Sequence, residues 1–148
     1  MKIVVCSCLL GNNCKYNGKN NRDEELLAYL SDKDILPVCP EAMGGLPTPR
    51  EPVEWVQGRA LYKSGGDVTA EFNRGAALAC DFVAKNEPEQ IIMQPRSPSC
   101  GVNFIYDGTF SKKLIHGQGD FAAKVLALGY ETAPEQLSDK WIILAKKR

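Results

Sequence analysis

A single histidine, His116, is all that this 148-residue chain contains. It stands in the loop sequence HGQG, where a lone imidazole reads as solvated. A metal-free hydrolase with Cys100 as nucleophile would need such a base close by, and the sequence gives it little support. Excess charge is missing too: 18 basic and 18 acidic residues, mixed along the chain, give a formal net charge of zero. Neither duplex nucleic acid nor an anionic membrane is therefore expected as a partner, whereas a small or single-stranded RNA held by a local patch stays open. The one basic run, Lys146-Lys147-Arg148, reads as a solvated tail. Long hydrophobic runs are absent. The apolar stretch after Met1-Lys2 is broken by Asn12-Asn13, too short for a signal segment or a membrane span. The expectation is a cytoplasmic protein. Cys-x-x-Cys pairs are missing, which argues against a zinc ribbon or a thioredoxin-type motif. Internal repeats and low-complexity linkers are missing as well.

What is there fits one domain, 1–148, long enough to build a single sizeable core. Residues 2–6 (KIVVC) read as a buried strand and residues 7–20 as a polar loop rich in Gly and Asn. Residues 23–30 (DEELLAYL) have the spacing of a short amphipathic helix. Residues 35–39 (ILPVC) read as a second buried strand, which Pro37 weakens or moves to an edge. From 40 to 52, PEAMGGLPTPREP is so dense in Gly and Pro that no regular element is expected. Residues 59–63 suggest a small excursion of strand. Asp67-Val68-Thr69 offers helix-capping chemistry before the longest helical pattern, 70–85. Residues 90–93 predict a third buried strand. Phe104-Ile105-Tyr106 with Asp107-Gly108 predicts one arm of a hairpin, Phe110 opening the other. A helix over 119–128 ends at Gly129, and 133–146 predicts a last helix with Trp141 on its apolar face. Strands alternating with helices predict an α/β fold: a single three-layer, Rossmann-like domain with a mostly parallel sheet.

The six cysteines sort on this map. In a cytosolic protein, where disulfides are rare, they call for metal binding, catalysis or burial. Cys6, inside the first strand, and Cys80, inside the long helix, read as small core residues. Cys8, Cys39 and Cys100 each fall at or just after the carboxyl end of a predicted buried strand. Ligands of open α/β sheets bind there, so thiols far apart in sequence can converge. Cys14 lies in the same loop as Cys8, able to reach a shared site or to sit beside it.

The loops that carry these thiols read Cys8-Leu9-Leu10-Gly11, Cys14-Lys15-Tyr16-Asn17-Gly18 and Cys39-Pro40-Glu41. Then come Gly44-Gly45-Leu46-Pro47-Thr48-Pro49-Arg50, Asp67-Val68-Thr69, Ser97-Pro98-Ser99-Cys100-Gly101 and Ile105-Tyr106-Asp107-Gly108. In order and spacing this set resembles the bacterial thiouracil desulfurase (TudS) family, long catalogued as a domain of unknown function. The resemblance runs from Lys2 to about Gly129. It implies desulfuration of thiolated pyrimidines at a 4Fe–4S cluster held by only three cysteines, which match Cys8, Cys39 and Cys100. It also implies Glu41 and Ser97 as the essential acid/base residues, and argues against Cys14 as a fourth ligand. Two departures stand out. Gln94-Pro95 occupies a place where the family usually has lysine, and His116 one often held by proline.

Thiolates are the usual ligands of iron–sulfur clusters, and three of them leave one iron open. A thiophilic iron suits the sulfur of a C=S group, and a carboxylate two residues from a ligand is well placed to deprotonate a water. Ser97 reads either as a donor to the pyrimidine edge and proton relay or as a loop cap, and Ser99 as a turn residue. Gly44, Gly45 and Gly101 suit close backbone approach. Arg50 and Arg96 read as solvated, Tyr16 as packing. The expected substrate is a thiolated base or thionucleoside, with thiolated RNA open. The competing expectation is a non-catalytic zinc or Fe–S module, a sensor or a partner of an RNA-modifying enzyme.

Overall fold

The computed structural model describes residues 1–133 and 140–147. Strand β1 (Lys2–Cys6) leads into a 3-10 turn (Ser7–Leu10) and, past a long loop, helix α1 (Glu24–Leu30). Asp23 caps α1 by accepting from the Leu26 amide at 3.1 Å, as its place before an apolar-periodic run predicts. Then follow β2 (Asp34–Val38), α2 (Pro40–Met43), the antiparallel pair β3 (Val53–Val56) and β4 (Arg59–Tyr62), and α3 (Thr69–Asn86). Next come β5 (Gln90–Met93), the hairpin β6 (Phe104–Tyr106) and β7 (Leu114–His116), α4 (Asp120–Ala127), β8 (Tyr130–Thr132) and β9 (Ile142–Lys146).

The main sheet has the order β2-β1-β5-β9-β8. β1 is parallel to β2 and to β5, while β9 runs antiparallel to both β5 and β8. Four strands thus share one direction and β9 opposes them. The fold is mixed α/β with a sheet that leans parallel. Continuous apolar runs form its centre: Ile3, Val4, Val5, Ile91, Ile92, Ile143 and Leu144 are fully buried, as strands covered on both faces require. Leu26 and Leu30 of α1, Ala76, Ala79 and Val83 of α3, and Phe121 and Val125 of α4 complete this core. Among the described residues no helix is long and apolar enough to cross a membrane.

Several expectations need correction. The helix predicted over 133–146 is overturned where it is described: 142–146 is the interior strand β9, and residues 134–139 lie outside the described residues. An apolar run such as IIL fits either period, and two flanking strands decided for the sheet. The Gly/Pro-dense stretch still holds α2, because Pro40 occupies the first helical turn, where its missing N–H costs nothing. The second hairpin arm begins at Leu114. Phe110 sits in the connecting loop with φ 56°. β2 is not buried but an exposed edge, the place that Pro37 allows.

Candidate functional site

β1 is followed by β2 on one side and flanked by β5 on the other, so the chain changes lateral direction around β1. Such a switch point opens a crevice in α/β sheets. Cys6 ends β1, Cys8 lies in the 3-10 turn that follows, Cys39 directly follows β2, and Cys100 lies in the segment after β5. These four and Cys14 line one cavity of about 440 Å3. Cys80, on α3, does not.

The thiols meet in pairs. The Cys6 thiol donates to the Cys100 sulfur at 3.1 Å, both groups buried. Cys8 donates to Gln94 Oε1 at 3.8 Å. Cys14 shares hydrogen bonds with Cys39 and with Cys8. The hydrogen bond with Cys39 lowers the Cys14 pKa, but the Cys8 thiol and burial outweigh it and push the value up to about 11. Cys39 is pushed well up by its bond to Cys14 and by burial. Cys100 is raised by Cys6, then by burial. Crowded thiols of this kind ionise when a metal takes them. Among the described residues, no three Cys, His, Asp or Glu side chains gather closely enough for one metal ion. A single zinc, with Zn–S near 2.3 Å, would need them drawn together. Sulfur donors spread around a cavity, with no imidazole among them, fit a larger iron–sulfur cluster.

The oxygen groups follow a second pattern. Glu41, in the first turn of α2, accepts from Arg50 Nε at 3.1 Å and Nη2 at 2.9 Å, both on Oε1. Its Oε2 accepts from the Ser99 hydroxyl at 2.9 Å. Ser97 lines the cavity, and its Oγ accepts from the amides of Ser99 and Cys100, each at 3.1 Å. It caps the loop that presents Cys100. Ser99, read from sequence as a turn residue, is the hydroxyl that meets the carboxylate. Arg50 is not solvated: its side chain is 3% exposed.

The remaining expectations divide. Tyr16 and Arg96 line the cavity, Arg96 with φ 64°. His116 lies on β7, outside the lining, its ring 4.8 Å from that of Phe104. Asp67 accepts from the Thr69 amide at 2.9 Å, a turn contact away from the cavity, and the cap position of α3 falls on Val68, which makes no side-chain cap bond. Gly44 and Gly101 serve close approach, since an added Cβ would lie 2.0 Å from Glu71 O and 2.7 Å from Ser97 O respectively. Glu54 was not anticipated. This buried acid of β3 accepts from the amides of Gly108 at 2.9 Å and Phe110 at 3.1 Å, fixing the hairpin loop as a cavity wall. Nothing in the local sequence VEWV signals it. Cys6 is a core residue, as its place in the strand predicts, and its position at the very end of the strand is the sequence sign of its second contact, with Cys100.

Comparison with known proteins agrees with this picture. The uncharacterized protein YbbK of Bacillus subtilis (strain 168) is 38% identical over 148 residues, spanning 93% of this chain and 98% of its own length. The solved structure of a [4Fe-4S]-dependent thiouracil desulfidase, TudS, matches with a TM-score of 0.78 at 37% identity, over 86% of this chain and 85% of that one. The 2-thiouracil desulfurase family model matches residues 3–136, from the first strand past every loop that brings a thiol to the cavity, and the chain belongs to that family.

Proposed function

We propose that this chain is a cytoplasmic, single-domain desulfurase that removes sulfur from a thiolated pyrimidine, water supplying the oxygen that replaces it. The observation that carries the proposal is the convergence of five thiols, Glu41 and Ser97 on one cavity. In this proposal the domain is Rossmann-like and three-layered, with its cysteine loops at the carboxyl edge of the sheet. Cys8, Cys39 and Cys100 hold a 4Fe–4S cluster and leave one iron open. When bound, the cluster supplies a thiophilic Lewis acid for the sulfur of a C=S group.

The chain's own groups do the rest. Glu41 accepts the proton of the attacking water, and the remaining charge-balancing proton leaves with the sulfide. Ser97 takes two amide donors on its oxygen, and its hydroxyl hydrogen is left to donate to the polar edge of the pyrimidine. Tyr16, Tyr106 and Phe110 line the cavity and supply aromatic surface for a planar ring. A free base or a nucleoside is the substrate class proposed, and thiolated RNA stays open.

The test is anaerobic purification or reconstitution, followed by iron and sulfide analysis and turnover of 2-thiouracil. The expected result is brown protein with iron and labile sulfide, converting the thiobase to uracil and sulfide. Zinc without iron or sulfide overturns the cofactor. A stable cluster that turns over no thiolated base or nucleoside overturns the activity and leaves a binding module.

A further inference from the structure

A guanidinium is costly to bury unless every donor finds an acceptor. Arg50, 3% exposed at its side chain, meets that condition through three segments of chain. Nε and Nη2 donate to Glu41 Oε1 at 3.1 and 2.9 Å. Nη2 also donates to Cys14 O at 3.1 Å, and Nη1 to Pro47 O and Thr48 Oγ1, each at 3.0 Å. The Arg50 amide itself donates to Tyr16 O at 2.5 Å. The side chain therefore ties the thiol loop, the turn before it and the first turn of α2 together. At the other carboxylate oxygen, Ser99 donates to Glu41 Oε2 at 2.9 Å.

The distribution of these bonds is unequal. Both Arg50 bonds to the carboxylate fall on Oε1, so Oε2, which among the described residues accepts from Ser99 alone, keeps a lone pair for a water. A four-residue helix gives its glutamate little support of its own. We infer that Arg50 is a positioning residue for desulfuration, acting through Glu41: its planar fork holds one carboxylate oxygen so that the other serves the cavity, with Ser99 fixing that second oxygen. The inference rests on the proposed role of Glu41. Lysine cannot replace this fork, because a point charge lacks its two-edged geometry.

A double-mutant cycle tests it. Parent, Arg50→Met, Arg50→Lys, Ser99→Ala, Glu41→Gln and the Arg50→Met/Glu41→Gln pair are reconstituted together, and iron content, visible spectrum, Tm, kcat and KM for 2-thiouracil are measured. Arg50→Met is expected to keep its iron and a KM within about twofold, while kcat falls on the order of tenfold to a hundredfold, as for a misplaced catalytic group. Arg50→Lys recovers part of that loss. In the Glu41→Gln background, Arg50→Met costs less than about twofold more, because a residue that acts only through another has nothing further to remove. A full additional loss in that background overturns the inference, since Arg50 then acts independently of Glu41. So does parental kcat in both Arg50→Lys and Ser99→Ala, an outcome that decides the matter even where Arg50→Met fails to fold. Parental turnover by Glu41→Gln with its cluster intact instead overturns the role of Glu41 itself, and the two failures are distinguishable.

Discussion

Gly75 lies buried in α3 where the backbone of α2 crosses it. A Cβ there would come within 1.9 Å of Pro40 O and 3.0 Å of Gly44 N, both backbone atoms that cannot rotate away. The crossing is pinned further by Arg74, whose Nε donates to Gly44 O at 3.2 Å. Gly75→Ala must therefore push α2 outward by about 1.5 Å to restore an ordinary 3.4 Å contact. Two energies oppose each other. Alanine favours the helix by about 1 kcal/mol, while overpacking costs about 1–3 kcal/mol, its upper end for a clash with backbone. The net is a loss of about 2 kcal/mol, or a Tm lowered by about 4–8 °C in a domain of this size. The consequence for activity is larger. Cys39 is the residue that precedes α2 at its N-terminal cap, Glu41 lies in the first turn, and a displacement of about 1 Å can cost a hundredfold in rate. Thermal unfolding, iron content and turnover of Gly75→Ala are compared with those of Ala77→Gly, a change at an exposed position of the same helix. The control loses about 1 kcal/mol of helix propensity and no activity. A Gly75→Ala protein that melts at or above the parent and turns over at the parental rate would refute the role of this crossing.

Three further outcomes are expected. Cys8→Ala, Cys39→Ala and Cys100→Ala each lose iron and turnover together, while Cys6→Ser, Cys14→Ser and Cys80→Ser keep their iron; loss of iron in Cys14→Ser alone adds a fourth ligand and closes the open iron. Glu41→Gln keeps iron and visible spectrum but loses about a hundredfold or more in desulfuration, the usual size of a general-base contribution, and normal turnover would transfer water activation to the iron. Burial, partly offset by Lys124, raises the Asp120 carboxyl above its ordinary value. The folded state therefore holds that proton more tightly than the unfolded chain, and stability is lost as pH rises above the ordinary carboxylate range. Asp120→Asn should raise Tm at pH 7 and lose that advantage below about pH 4; a variant less stable at pH 7 contradicts this.

Elements that declare themselves locally were legible in the sequence. KIVVC and QIIM are continuous apolar runs bounded by polar residues, and α1, α3 and α4 carry helical periodicity near capping or Gly signals. β9 was not, because IILAK has no period of its own and is a strand only by virtue of β5 and β8 beside it. The same distinction runs through the site. Cys8, Cys39 and Cys100 could be picked out because each follows a legible strand. Arg50 could not, since its burial comes from acceptors at Cys14, Glu41 and Pro47, none of which its own loop sequence implies. Ser97 and Ser99 are two residues apart in one motif, and only their hydrogen bonds tell the loop cap from the partner of the carboxylate.

The cavity wall is assembled across long spans of chain: 94 residues separate Cys6 from Cys100, 58 separate Glu41 from Ser99, and 54 separate Glu54 from Gly108. Contacts of this reach form slowly, because the loops between them must first be closed. Among the described residues β8 pairs with β9 alone, so this sheet stops at β5 until β9 has been made, after all five cavity thiols. A nascent chain short of Cys100 has no complete pocket, and one short of β9 has an open sheet around it. Under the proposed function, a cluster could be seated only once the chain has been made past Cys100, and the earlier thiols would have to stay reduced until then.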